Sequence, residues 1–273
     1  MASGNLLEAR NLRKMFTLHG ARSGGTGAAN GNPSHHTVGV DDVSFSLAAG
    51  ETLGIVGESG CGKTTLARML VRLIEPDSGE ILFRGENWIA ARGAKLRSLR
   101  RSIQMVFQDP MASLNPRMRV GTIVGEPLAI HEPGLSSAER LQRITQILES
   151  VGLAADTLAR YPHEFSGGQR QRIGIARALI LRPELVVADE PVSALDVSVG
   201  AQILELLARL RREFSLTLIL ISHSLPVVAQ LATQVAVMQA GRFVETGPAE
   251  KVLHAPEHPY TQALLAAVPE IPP

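Results

Sequence analysis

Gly57-Glu58-Ser59-Gly60-Cys61-Gly62-Lys63-Thr64 constrains this chain more than any other stretch. The pattern G-x-x-x-x-G-K-[ST] calls for a strand entering a glycine-rich loop and a helix leaving it. Only that geometry lets backbone N–H groups close around phosphate oxygens. The flanks agree. Thr52–Val56 reads as a short buried strand, and Leu66, Leu70, Leu73 and Ile74 recur at helical spacing over Thr64–Ile74, up to Pro76-Asp77-Ser78-Gly79. A chance match in a chain this long is on the order of one in a hundred. The loop is expected to hold nucleotide phosphates at the positive end of the helix. Lys63 would reach the β and γ phosphates, with Thr65 following in the first turn, and the Thr64 hydroxyl would take one magnesium position. Cys61 fits the loop by its small size and is not expected to act as a thiol.

The 273 residues suffice for one large α/β domain, or a core with a subdomain. A formal charge of +1 gives no basic field that would attract nucleic acid. The longest apolar runs, such as Leu216–Ile221, fall far short of the ~20 residues that span a bilayer. One cysteine excludes an internal disulfide or a multi-cysteine metal site, and no signal-like segment opens the chain, so an intracellular protein is expected.

Along the chain, Leu6–Phe16 reads as a first strand and Gly20–His36 as a flexible loop, with His35-His36 solvated and not metal ligands. Val43–Leu47 alternates as a half-buried strand, and Glu80–Phe83 and Ile103–Phe107 are short strands. Ser136 and Glu139 form a capping box that opens a helix presenting Leu141, Ile144, Ile147, Leu148 and Val151. Residues of about 110–165 therefore look like a mainly helical insertion. Helix Gln169–Ile180, strand Leu185–Asp189, helix Val199–Glu213 and strand Thr217–Ile221 then argue for a largely parallel sheet covered on both faces. A hairpin, Val235–Gln239 and Arg242–Glu245, closes the pattern.

Strand Leu185–Asp189 ends in two carboxylates, and strand ends in such sheets face the ligand crevice. Asp189 could there orient magnesium through water, and Glu190 could polarise the water that attacks the γ phosphate. Phe165-Ser166-Gly167-Gly168-Gln169, placed between the phosphate loop and this strand, completes a set that resembles the ATP-binding cassette family over most of the chain. The resemblance implies a P-loop NTPase core of about 5–108 and 167–245 with an antiparallel β portion, and a helical subdomain of about 109–166. Residues 5–253 would form a single cassette, and 254–273 a C-terminal tail. It further implies that Phe16 stacks on adenine, that Gln108 touches magnesium and water, and that His223 meets the γ phosphate. Asp196, in Ser193-Ala194-Leu195-Asp196, would link two sites across a dimer. Ser166, Gly167, Gly168 and Gln169, at a helix start, would form an anion site for a partner's ATP. Two chains would then close head to tail around ATP.

Val106-Phe107-Gln108-Asp109-Pro110, Ser113-Leu114-Asn115-Pro116-Arg117-Met118, Tyr161-Pro162-His163-Glu164-Phe165 and the tail His258-Pro259-Tyr260-Thr261-Gln262-Ala263-Leu264-Leu265 look like the ATPase subunits of bacterial oligopeptide and dipeptide importers. That likeness implies a second ATPase subunit, identical or not, two membrane-embedded permease subunits beneath which the pair sits, and an external binding protein. The protein would lie on the cytoplasmic face of the membrane. The segment after Gln108 would receive the permeases' coupling helices, and no cysteine remains for the C-terminal iron–sulfur cluster of some relatives. Nickel, glutathione and sugar importers share these features. Non-transport cassettes, in DNA maintenance, translation or a phosphonate-degrading complex, stay as alternatives.

Overall fold

The computed structural model describes residues 4–18 and 35–267. Its strands run β1 (Asn5–Leu18), β2 (His35–Ala48), β3 (Thr52–Val56), β4 (Ser78–Phe83), β5 (Glu86–Asn87), β6 (Ile103–Val106), β7 (Leu185–Asp189), β8 (Thr217–Ser222), β9 (Gln234–Gln239) and β10 (Arg242–Pro248). They form a four-stranded antiparallel sheet, β2-β1-β4-β5, and a six-stranded sheet, β10-β9-β3-β8-β7-β6. In the larger sheet β9, β3, β8, β7 and β6 are parallel, and β10 returns antiparallel to β9.

The helices are α1 (Lys63–Leu70), α2 (Gly93–Ser102), α3 (Pro110–Ser113), α4 (Val120–His131), α5 (Ser137–Ser150), α6 (Gly167–Leu179), α7 (Val197–Phe214), α8 (Leu225–Ala229), α9 (Ala249–His254) and α10 (Pro259–Ala266). Strands β3, β7 and β8 are buried at every position, which explains their continuous apolar sequence. Successive side chains feed two cores. Leu185, Val187, Ile219 and Ile221 point to α1 and the antiparallel sheet, where Trp88 is fully buried. Val186, Ala188, Leu218 and Leu220 point to the opposite core, which α4, α5, α6 and α7 share.

Several expectations are corrected. Residues 20–34 of the expected loop lie outside the described residues, but His35 and His36 pair with Leu18 and Thr17 as the start of β2. The first helix ends at Leu70, not Ile74: Arg72 takes φ 57°, and the N–H groups of Leu73 and Ile74 both donate to Arg68 O. That turn lets the buried Arg72 guanidinium satisfy the carbonyls of Trp88 and Ala91, and it leaves Leu73 exposed. The capping box of α5 forms as expected, with Ser136 N–H donating to Glu139 and Glu139 N–H to Ser136 Oγ. Ile144, Ile147, Leu148 and Val151 are buried, whereas Leu141 is exposed.

Candidate nucleotide site

The site is assembled at the carboxyl ends of the parallel strands. β3 stops at Val56, and the loop turns through Gly57 (φ 154°) and Gly62 (φ 113°) into α1. A Cβ at Gly57 would stand 2.1 Å from Met238 O, and one at Gly62 would stand 1.9 Å from Gly39 O, so neither position accepts a side chain. Cys61 lies beneath the loop, where its carbonyl accepts Gly241 N–H at 2.9 Å and burial pushes its thiol pKa up. Lys63 is only 4% exposed. Its ammonium donates to Gly57 O at 2.7 Å and Glu58 O at 2.8 Å, carbonyls of the loop it closes.

Behind the loop, Thr64 Oγ1 donates to Asp189 Oδ1 at 3.2 Å. Asp189 ends β7 almost wholly buried, and that burial raises its pKa despite the Thr64 hydrogen bond; the neighbouring Glu190 charge pushes the same way. Glu190 adopts φ 44°, the left-handed region that costs a non-glycine residue on the order of 1 kcal/mol. Its N–H continues the ladder to Ile221 O at 2.9 Å while its side chain swings into the cavity. There Glu190 Oε2 accepts Gln108 Nε2 at 3.1 Å and lies 3.3 Å from His223 Nδ1. Gln108 follows β6 and His223 follows β8, so three strand ends deliver one triad.

Gln108, Glu190 and His223 open onto a cavity of about 610 Å³, lined also by Phe16, Lys63 and Thr64, whereas Asp189 lines a groove beside it. Ser59, Gly60, Gly62 and Thr65 also face the cavity. Phe16 reaches the cavity from β1 and is 38% exposed. Gly39 on β2 makes room for it, since a Cβ there would stand 2.7 Å from Phe16 Cε2. Gly39 is a cavity residue that the motif reading missed, and Ser193 and Ala194, expected only as part of the loop linking two sites, line the cavity too. A glycine inside a strand was the available signal for Gly39.

Other expected residues stand outside this cavity. Ser166 caps α6: its Oγ accepts Gln169 N–H at 3.3 Å and Gln169 Oε1 accepts Ser166 N–H at 3.0 Å. Gly167 and Gly168 form the first turn, and a Cβ at Gly168 would stand 2.4 Å from Val199 Cγ1, so α6 begins in close contact with α7. Asp196 is the N-cap residue of α7. Gly57, Glu58 and Cys61 belong to the loop but not to the lining of the cavity. A wider groove of about 740 Å³ adjoins the site, lined by Phe107, Asp109, Ser113, Glu126, His131 and Arg177 among others. It lacks the glycine cradle that phosphates require, so the smaller cavity is the candidate nucleotide site.

The donor set fits a hard divalent cation. The Thr64 hydroxyl and the Asp189 carboxylate converge beside the loop, and no cluster of three or more acidic, histidine or cysteine ligands exists among the described residues. Magnesium suits such a site, because it keeps few protein ligands and takes the rest from phosphate and water.

A phosphate loop at the head of a parallel sheet, with a carboxylate-lined cavity over it, defines a P-loop nucleotide-binding ATPase cassette. Residues 40–193 match the family model of the ABC transporter, and residues 244–273 that of the oligopeptide/dipeptide transporter C-terminal region. The chain belongs to the ABC transporter family, and as a member it binds and hydrolyses ATP. It is 52% identical to the oligopeptide transport ATP-binding protein OppF of Bacillus subtilis, over 84% of this chain and 76% of that protein. It is 51% identical to the dipeptide transport ATP-binding protein DppF of Haemophilus influenzae, over 86% of this chain and 71% of that protein. Among solved structures, the dimeric post-hydrolysis state of the cassette MJ0796 bound to ADP and Pi superposes with TM-score 0.76 at 26% identity. That match covers 89% of this chain and 98% of the other.

Asp189 gives a stability prediction. A carboxyl whose folded pKa lies above its unfolded value contributes stability below the unfolded pKa and loses it as pH rises through the folded one. At neutral pH the buried carboxylate therefore costs stability in the ligand-free chain. Asp189→Asn is expected to melt at or a few degrees above wild type at pH 7, the difference shrinking toward pH 4. A ligand-free variant that melts lower at pH 7 and equal in acid would reverse the assignment.

Proposed function

We propose that this chain is the ATP-hydrolysing subunit of an importer of dipeptides and oligopeptides, and that it works as one half of a head-to-tail ATPase pair. One observation carries the reading most: Gln108, Glu190 and His223 meet at the phosphate loop, while the Ser166 corner stands outside the same cavity. A second subunit, identical or sister, then supplies its own Ser166-type corner to close the site. The relatives named for oligopeptide and dipeptide transport, and the matching C-terminal region, support the substrate class.

Within the site, Phe16 stacks on the adenine ring. The amides of Ser59 to Thr65 wrap the phosphates, and Lys63 offers its remaining N–H to phosphate oxygens. Thr64 and Asp189, with Gln108 close by, would hold magnesium. The metal would supply neutralisation of phosphate charge when bound. Glu190 accepts a proton from water as the water oxygen bonds to Pγ and the bond from Pγ to the bridging oxygen of ADP breaks. His223 steadies the Glu190 carboxylate and faces the phosphate being released. Gly167, Gly168 and the α6 N-terminus serve the partner's ATP, and Asp196 lies at the joint between subunits. ATP favours the closed pair by its differential affinity for closed and open states.

No described helix is long and apolar enough to cross a membrane. In this reading two permease subunits carry the transmembrane path. Their cytoplasmic helices would dock in the groove bounded by Phe107, Ser113, Glu126 and His131, on the cytoplasmic face of the membrane. An external binding protein delivers the solute, and no nucleic acid is involved.

The test is ATP-driven uptake into vesicles holding the complete transporter, across peptides, nickel, glutathione and sugars. Saturable uptake of short peptides is expected. Uptake of one of the other solutes instead would replace the peptide assignment, and no uptake by a complex that still hydrolyses ATP would favour a non-transport cassette.

A further inference from the structure

The C-terminal segment reaches back to the phosphate loop. Glu245 on β10 anchors it, because its carboxylate accepts the N–H of Glu257 at 2.9 Å and of His258 at 3.0 Å. The His258 Nδ1 then accepts Tyr260 N–H at 3.2 Å and caps α10. Thr261, the next residue, is fully buried. This relay brings the Tyr260 hydroxyl to Glu58, whose backbone N–H donates to it at 3.1 Å. Leu264 of α10 and the following Ala267 share a cavity of about 310 Å³ with Val56, Gly57 and the His223–Pro226 turn. The helix therefore lies against both the loop and the His223 turn.

The Glu58 peptide is gripped at both ends. Its carbonyl accepts the Lys63 ammonium at 2.8 Å and its N–H is taken by Tyr260. An ammonium has three N–H donors, so Lys63 holding Gly57 O and Glu58 O has one left for phosphate, and any further turn toward phosphate gives up loop carbonyls. Where it gives up Glu58 O, the leading half of the loop retains the Cys61 N–H to Glu58 O bond (3.3 Å) and the Tyr260 bond. Only the second ties the loop to another part of the fold at this residue.

We propose that Tyr260 is a positioning residue for the ATP site, its hydroxyl oxygen holding the Glu58 N–H so that the phosphate loop keeps its nucleotide-ready shape once Lys63 turns to phosphate. The proposal rests on the reading of this loop as the ATP site. It gives the C-terminal segment a part in ATP binding: residues 244–273, matched as the transporter C-terminal region, contain Glu245, His258 and Tyr260. The tail then reports its own docking to the phosphate loop through one hydrogen bond.

Tyr260→Phe removes the hydroxyl and keeps the ring; Tyr260→Leu removes both. Full-length wild type and each variant are compared in three measurements: melting temperature, amide hydrogen exchange of residues 57–62 without nucleotide, and steady-state ATPase kinetics. For Tyr260→Phe the loop amides are expected to exchange several-fold faster and the KM for ATP to rise roughly three- to tenfold. Its kcat should stay within about twofold and its melting temperature should not move. An unchanged KM in Tyr260→Phe overturns the proposal. So does a defect confined to Tyr260→Leu with a lower melting temperature, which would mark the ring as packing only. A wild-type chain that neither binds nor hydrolyses ATP would instead overturn the reading of the site. The nucleotide-free exchange comparison would still decide whether Tyr260 braces the loop.

Discussion

Glu190→Gln is expected to lower kcat by about 10²- to 10⁴-fold, the contribution of a positioned general base, while ATP still binds. The substitution is close to isosteric. A glutamine carbonyl can still accept Gln108 Nε2, so the contact that now measures 3.1 Å survives. The backbone at φ 44° is held by the Glu190 N–H to Ile221 O bond, which does not depend on the side chain. What disappears is the proton acceptor in the centre of the triad. The closed, ATP-loaded pair should therefore accumulate, seen as an ATP-dependent increase in mass by light scattering that wild type loses as it hydrolyses. Full turnover by Glu190→Gln would remove Glu190 from the role of base and leave His223 to be tested for it.

Lys63→Ala is expected to cost about 10²- to 10³-fold in kcat/KM, the scale for removing one charge-stabilising donor from a phosphoryl-transfer site. It should also act on the ligand-free protein, which the Glu190 change should not. Lys63 is 4% exposed and its ammonium satisfies the carbonyls of Gly57 and Glu58. Their loss of a donor costs about 1–3 kcal/mol, read as a lower melting temperature and looser loop amides. Lys63→Arg should not rescue activity, since a planar guanidinium does not fit a slot shaped for a single ammonium between two carbonyls. Wild-type ATP affinity in Lys63→Ala, measured by calorimetry, would contradict the placement of Lys63 on the phosphates.

The site was legible where function and local structure demand the same residues. The glycines of 57–62 are needed both for the turn and for the amide cradle, so the motif announces its own conformation. Strands β3, β7 and β8 announce themselves because burial on both faces leaves polar residues only at their ends. The α5 capping box satisfies two amides with two side chains three residues apart, a local event. Helix α4 holds Gly125 and Pro127, both poor helix formers, so its bounds were not legible within the expected helical insertion. Gly125 is used instead for close packing, since a Cβ there would stand 2.7 Å from Ile144 Cδ1. Arg72 gave no local sign that it would end α1, because the carbonyls it satisfies belong to Trp88 and Ala91.

Sequence alone determined the strand–loop–helix that binds phosphate, the parallel core behind it and the family, because each depends on residues adjacent in the chain. Tertiary structure alone decided the rest. It set the left-handed Glu190 between Gln108 and His223, cleared Gly39 for the Phe16 ring and brought Tyr260 to Glu58. Each of these pairs residues far apart in sequence, and only the packing of strand ends, and of the tail against them, brings such residues within hydrogen-bonding reach.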